Sequence, residues 1–123
     1  TFDLTALAGA WETVCEPFLA GDGASTGRWE FETTSGNTMD VTVSGVDYTT
    51  TDCSGDGTVL DMQMAMTFRV VGTAPIAGRD AFVGVTDRFG VMAVAVAADQ
   101  LSIGVGGDEL PTSFEPELEA VRR

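Results

Sequence analysis

The sequence predicts an all-β chain, folded as a single antiparallel up-and-down β-barrel of about eight strands. Apolar and polar residues alternate with period two through most of it, as where Trp29, Phe31 and Thr33 oppose Arg28, Glu30 and Glu32. Turn signals built from glycine, aspartate and asparagine recur between these runs, so consecutive strands join as hairpins. No stretch keeps the 3.6-residue period of a long helix. A length of 123 residues suits one domain, 1–123, able to bury its own core. Sequential hairpins favour closure, which removes exposed edges; a β-sandwich is the alternative.

The elements follow in order. Leu4, Leu7 and Ala8 have helical spacing, so residues 3–8 are expected to form one short helical turn, capped by Asp3 or Thr5. Gly9 breaks that turn and opens a strand in which Trp11, Thr13 and Cys15 share a face. An indole this early in a strand suits a plug that closes one end of the barrel, and its N–H needs a partner. A loop over 17–25 leads to the strand 26–34, and Ser35-Gly36-Asn37 signals a hairpin. Met39, Val41 and Val43 then mark an inner face until Gly45, where the apolar phase slips to Val46 and Tyr48; a bulge there explains the slip.

Residues 49–57 read as a polar loop, whose Asp52 and Asp56 lack the spacing of a calcium loop. Residues 58–71 form the longest strand candidate, with Leu60, Met62, Met64, Met66, Phe68 and Val70 on one face. A loop over 72–78 precedes a hairpin, 79–87 and 91–98, around Arg88-Phe89-Gly90. Its second strand opposes Met92, Val94 and Val96 to Ala93, Ala95 and Ala97; if the alanine face points inward it leaves room. A strand with Leu101, Ile103 and Val105 follows; Phe114, Leu118 and Val121 are expected to cover one end of the barrel, with 117–122 as a closing strand or short helical turn.

Leu7-x-Gly9-x-Trp11 resembles the G-x-W signature that opens the first strand of lipocalins and related small barrels. Cys15, four residues after Trp11, and Leu110-Pro111-Thr112-Ser113-Phe114 are similar to features of a group of small exported bacterial barrels. The resemblance implies a lipocalin-like barrel in which Gly9 and Trp11 are structural and a C-terminal arginine, Arg122 or Arg123, lies across the indole. The plain alternative for those arginines is a frayed terminus. Biotin-binding barrels open similarly but carry further tryptophans around the ligand, whereas this chain has Trp11 and Trp29 alone.

Composition excludes several function classes. Lysine and histidine are absent and all six basic residues are arginines. A P-loop, a lysine Schiff base, a Ser-His-Asp triad and a histidine-ligated metal are thereby ruled out. A net charge of −13 opposes nucleic acid and anionic lipid. The carboxylates are scattered, which fits a solvated acidic surface better than a dedicated cation or basic-protein site. No apolar run approaches membrane-spanning length, so no membrane span is expected.

Cys15 and Cys53 form either one disulfide or two buried thiols, and an even count in a small β chain favours the disulfide. A secreted or periplasmic location is therefore expected, with a signal segment removed ahead of Thr1.

The expected function is binding rather than catalysis, with no cofactor. Trp29, Phe31, Met39, Met62, Met64, Met66 and Phe68 are the residues expected to line the interior, with Tyr48 orienting a small apolar or amphipathic ligand. The competing reading is a barrel filled by these same side chains, acting as a structural or protein-interaction module. No pair of carboxylates has a spacing that marks an acid–base couple, so an enzyme is not expected.

Overall fold

The computed structural model describes residues 3–122 as nine antiparallel strands in one sheet that closes into a ring. They are β1 Gly9–Thr13, β2 Glu16–Pro17, β3 Ala24–Ser35, β4 Thr38–Tyr48, β5 Thr58–Ile76, β6 Arg79–Thr86, β7 Gly90–Ala97, β8 Gln100–Gly107 and β9 Ala120–Arg122. From β3 to β8 each strand pairs with its successor, and β1 closes the ring by pairing with β3 on one side and β9 on the other. The all-β up-and-down architecture is thus the expected one, with the count raised to nine by the two-residue β2 and three-residue β9.

The base of the ring is built from the chain's two ends. Asp3 Oδ1 accepts hydrogen bonds from the Thr5 amide (3.1 Å) and hydroxyl (2.7 Å), starting a turn in which the Leu7 amide reaches the Leu4 carbonyl at 3.0 Å. These bonds hold the exposed Asp3 carboxyl below its ordinary pKa. Leu4 and Leu7 are buried and enter the main core with Trp11, itself 0% exposed.

The Trp11 indole N–H donates to the Leu7 carbonyl at 3.0 Å, so its polar edge is satisfied inside the core. Arg122 lies with its guanidinium carbon 4.1 Å from the Trp11 ring centroid and donates to the carbonyls of Ala8 and Ala6, both at 2.8 Å. Gly9 has φ 117°, and a Cβ there would stand 2.9 Å from Arg122 Nη1, so glycine leaves space for the cation. Arg123 lies outside the described residues.

Above this base the inward side chains pack into one cluster that includes Trp29 and Phe31 of β3, Met39 and Val41 of β4, and Met66, Phe68 and Val70 of β5. Met92 and Val94 complete it from β7, with Leu101 and Ile103 from β8. The alanine face of β7 points outward instead. Ala93 and Ala95 join Ile76 and Ala81 in a second cluster, against which Phe114 packs. Small side chains let the segment after β8 lie close: the Glu115 amide donates to the Ile103 carbonyl at 2.8 Å, and Arg79 sits 5.3 Å from the Phe114 centroid.

Two other elements differ from expectation. The loop over 72–78 is strand to Ile76, with Pro75 opposite Asp80, and only Ala77 and Gly78 turn the chain. Both have positive φ, 49° and 79°, the conformation a two-residue hairpin requires. Residues 117–122 supply both alternatives, a 3-10 turn over Pro116–Leu118 and then β9.

The base yields a stability prediction. Arg122→Ala should lower the unfolding free energy by about 1–3 kcal/mol, through the lost cation–π contact and carbonyl bonds. Trp11→Ala should lower it by about 3–5 kcal/mol. In a urea double-mutant cycle the two losses should sum to more than the double variant shows, and strict additivity would deny that the arginine acts through the indole.

Candidate interaction site at the barrel mouth

Opposite the base, β1, β3, β4 and the start of β5 surround an open cleft of about 310 Å³. Its floor is a pair of glycines in register, Gly27 of β3 and Gly45 of β4. A Cβ at Gly45 would meet Leu60 Cδ1 at 3.3 Å and Gln63 Nε2 at 3.4 Å. At Gly27 a Cβ would meet Thr13 Oγ1 at 3.2 Å, the atom that accepts the Gly27 amide hydrogen bond at 2.8 Å. The cleft exists because neither strand places a side chain there. Its walls include Val14, Val43, Leu60 and Gln63, and its charged lining residues, Glu16 and Asp47, are both acidic.

The β4–β5 register breaks beside Gly45. Val43 pairs with Met64, Ser44 with Met62 and Val46 with Val59, so β5 spends two more residues than β4 over this span. Each inserted residue shifts the side-chain phase, and a one-residue slip exchanges the faces. Met64 therefore still packs against the core, whereas Met62 pairs with Ser44 on the outer face and is 59% exposed. Sequence alternation placed Met62 inside; the bulged register moves it out. Val59 and Leu60 are exposed too, by 49% and 42%, and Val14 across the cleft by 65%.

The other expected lining residues fall into two groups. Trp29, Phe31, Met39, Met66 and Phe68 meet in the main core with exposures of 0–4%, and the rings of Trp29 and Phe31 stack with centroids 6.3 Å apart. Tyr48 is elsewhere. It shares the outer face with Arg28, Ser44 and Val46, and its hydroxyl donates to Glu12 Oε2 at 2.6 Å. Glu12 is 5% exposed and stands opposite Arg28 in the β1–β3 register, while Arg28 Nε lies 3.0 Å from Glu30 Oε1. Glu12, Arg28, Tyr48 and Asp56 border a second open cleft of about 610 Å³ on this outer face.

A disulfide between Cys15 and Cys53 ties the 49–57 loop to the segment between β1 and β2. The bridge is compatible with an oxidising, extracytoplasmic setting. Within the loop Asp52 Oδ1 accepts the Ser54 amide hydrogen bond at 3.1 Å. Hydrogen bonding from Ser54 holds the exposed Asp52 carboxyl below its ordinary 3.8.

Sequence reasoning missed Glu12, which alternation alone marks only as outward-facing, and the role of Gly27. A signal for the glycine pair was present: Gly27 and Gly45 lie equally far from the Gly36 turn, and hairpin pairing brings such positions opposite one another.

The chemistry available at the mouth is apolar contact, carboxylate charge and backbone hydrogen bonding. Among the described residues no cluster of three or more potential ligands could hold a metal ion, and no helix is long and apolar enough to cross a membrane. No protein-family model matches the chain, and neither a curated protein nor a solved structure matches it.

Two outcomes test this geometry. Replacing Cys15 and Cys53 together by serine should cost about 3–4 kcal/mol of unfolding free energy in the chain-entropy account, and amide exchange should rise first in the 49–57 loop. Because its folded pKa is depressed, Asp52 contributes loop order in full above its unfolded value and loses it as pH falls through the folded value. Protection of the Ser54 amide should hold at pH 5 (roughly a unit above the ordinary carboxylate value) and fall only in more acid solution.

Proposed function

We propose that the chain is a non-catalytic, extracytoplasmic binding module: a barrel filled by its own side chains that engages a partner at its mouth. One observation carries the reading. Five of the seven apolar side chains expected around a ligand instead pack on one another at 0–4% exposure, while exposed Val14 and Leu60 line the cleft at the mouth and exposed Val59 and Met62 lie on the outer face of the same stretch of β5. Apolar surface left in water beside a cleft marks a contact site better than a sealed core does.

Catalysis has little to build on. The sequence holds no histidine or lysine, and buried Glu12 accepts the Tyr48 hydroxyl hydrogen bond. The disulfide and the acidic surface both suit life outside the cytoplasm.

A second reading keeps the lipocalin-like role, in which a small amphipathic molecule sits in the 310 Å³ cleft rather than deep in the ring. It is favoured by the cleft's size, at the lower end of small-ligand sites, and by the plug-and-arginine base that the G-x-W resemblance implies.

Titration with the neutral fluorophore N-phenyl-1-naphthylamine separates them. A filled module should show no saturable quenching of tryptophan emission. Stoichiometric uptake that survives Gly45→Leu would place the probe in the interior and overturn the proposal. Uptake abolished by Gly45→Leu, which fills the cleft floor, would establish the second reading in its place.

A further inference from the structure

The wall of the barrel is incomplete at one point. Strand β6 ends at Thr86, opposite Phe68, so β5 above that level has β4 as its only strand neighbour among the described residues. The β6–β7 turn extends the cover a short way: Asp87 Oδ1 accepts the Thr67 amide hydrogen bond at 3.0 Å, and Arg88 Nε donates to the Ala65 carbonyl at 3.3 Å. Beyond Ala65, among the described residues, no second strand pairs with the outer edge of residues 58–64 and no backbone hydrogen bond reaches it. An exposed edge of this kind is a template for another extended chain.

The side chains of the segment say what sort of chain. Val59, Leu60 and Met62 are exposed by 49%, 42% and 59%, so an added strand would cover apolar surface as well as pair its backbone. Exposed Asp61 stands at the centre of 58–64, and the neighbouring cleft adds Glu16 and Asp47. A second copy of this chain fits poorly. Antiparallel self-pairing of 58–64 about its centre sets Asp61 directly against Asp61, a destabilising like-charge pair, and brings together two chains of net charge −13.

We infer that the edge of β5 over 58–64 accepts, as an added strand, an extended segment of a partner polypeptide in which apolar residues alternate with lysine or arginine. The inference rests on the reading of the mouth as the binding end of a filled barrel and names the partner class for it. Apolar side chains of the segment lie along Val59 and Met62 on the outer face, and a cationic one stands beside Asp61.

The test uses two acetylated, amidated heptapeptides, one alternating valine with lysine and the other valine with glutamate. Binding is followed by fluorescence anisotropy and by amide exchange of the intact, disulfide-bonded protein. The lysine peptide should bind saturably, at least tenfold more tightly than the glutamate peptide, and should slow exchange within 58–64. Asp61→Lys, an exposed substitution outside the core, should weaken the lysine peptide at least tenfold and strengthen the glutamate peptide.

Equal binding of the two peptides, or protection confined to β2 or the base, would overturn the inference. So would concentration-dependent protection of 58–64 without peptide, which would make a second copy the occupant. If 58–64 stays unprotected while the naphthylamine probe is also excluded, strand addition fails and the filled-barrel reading stands. If the probe enters the interior, that reading fails as well.

Discussion

The structure depends on how its first full strand is held from both sides. Trp11 stands opposite Trp29 in the β1–β3 register and opposite Arg122 in the β1–β9 register, so the residue that seals the base also sits on the seam of the ring. The indole fills space beneath the core, its N–H is satisfied by the turn that precedes it, and its face is covered by the guanidinium. The same arginine ties that turn down through two carbonyls. Packing, hydrogen bonding and ring closure are therefore one constraint here, and the order of the core above follows from it.

Most of the fold was legible in the sequence because alternation and turn chemistry are local. The strand from Trp29 to Thr33, the Gly36 turn, the inner face at Met39 and Val41, and the alternation through Met66, Phe68 and Val70 each need only a few neighbouring residues to be read. The disulfide was legible from count and context. Pairing between distant segments was not. Whether the alanine face of β7 pointed in or out depended on Phe114 arriving over it from the far side of β8, and no local period records that.

The candidate site was harder to read for a related reason. A phase slip at Gly45 was visible in β4, but the inserted residues lie in β5, where the sequence Leu60, Met62, Met64, Met66 alternates without interruption. An apolar pattern this regular conceals a bulge, and Met62 changed faces unseen. The glycine pair below the cleft could be inferred from its symmetry about the turn. Its meaning depended on Leu60 and Gln63 standing above it, which again is set by the slipped register. The two ends of the barrel thus differ in kind: the base is filled and tied, whereas the mouth combines missing side chains with unmatched strands.

The seam also governs when the molecule can become complete. Strands β3 to β8 pair with their successors and can assemble by short-range steps, but Arg122 reaches carbonyls more than a hundred positions earlier, at sequence separations of 114 and 116. Contacts so remote in the chain form late, after the intervening loop entropy has been overcome. Until Ala120–Arg122 is in place, the first indole lacks its guanidinium cover and β1 has only β3 beside it. Closure of the ring therefore rests on its most remote pairing, and without it the bottom stays open.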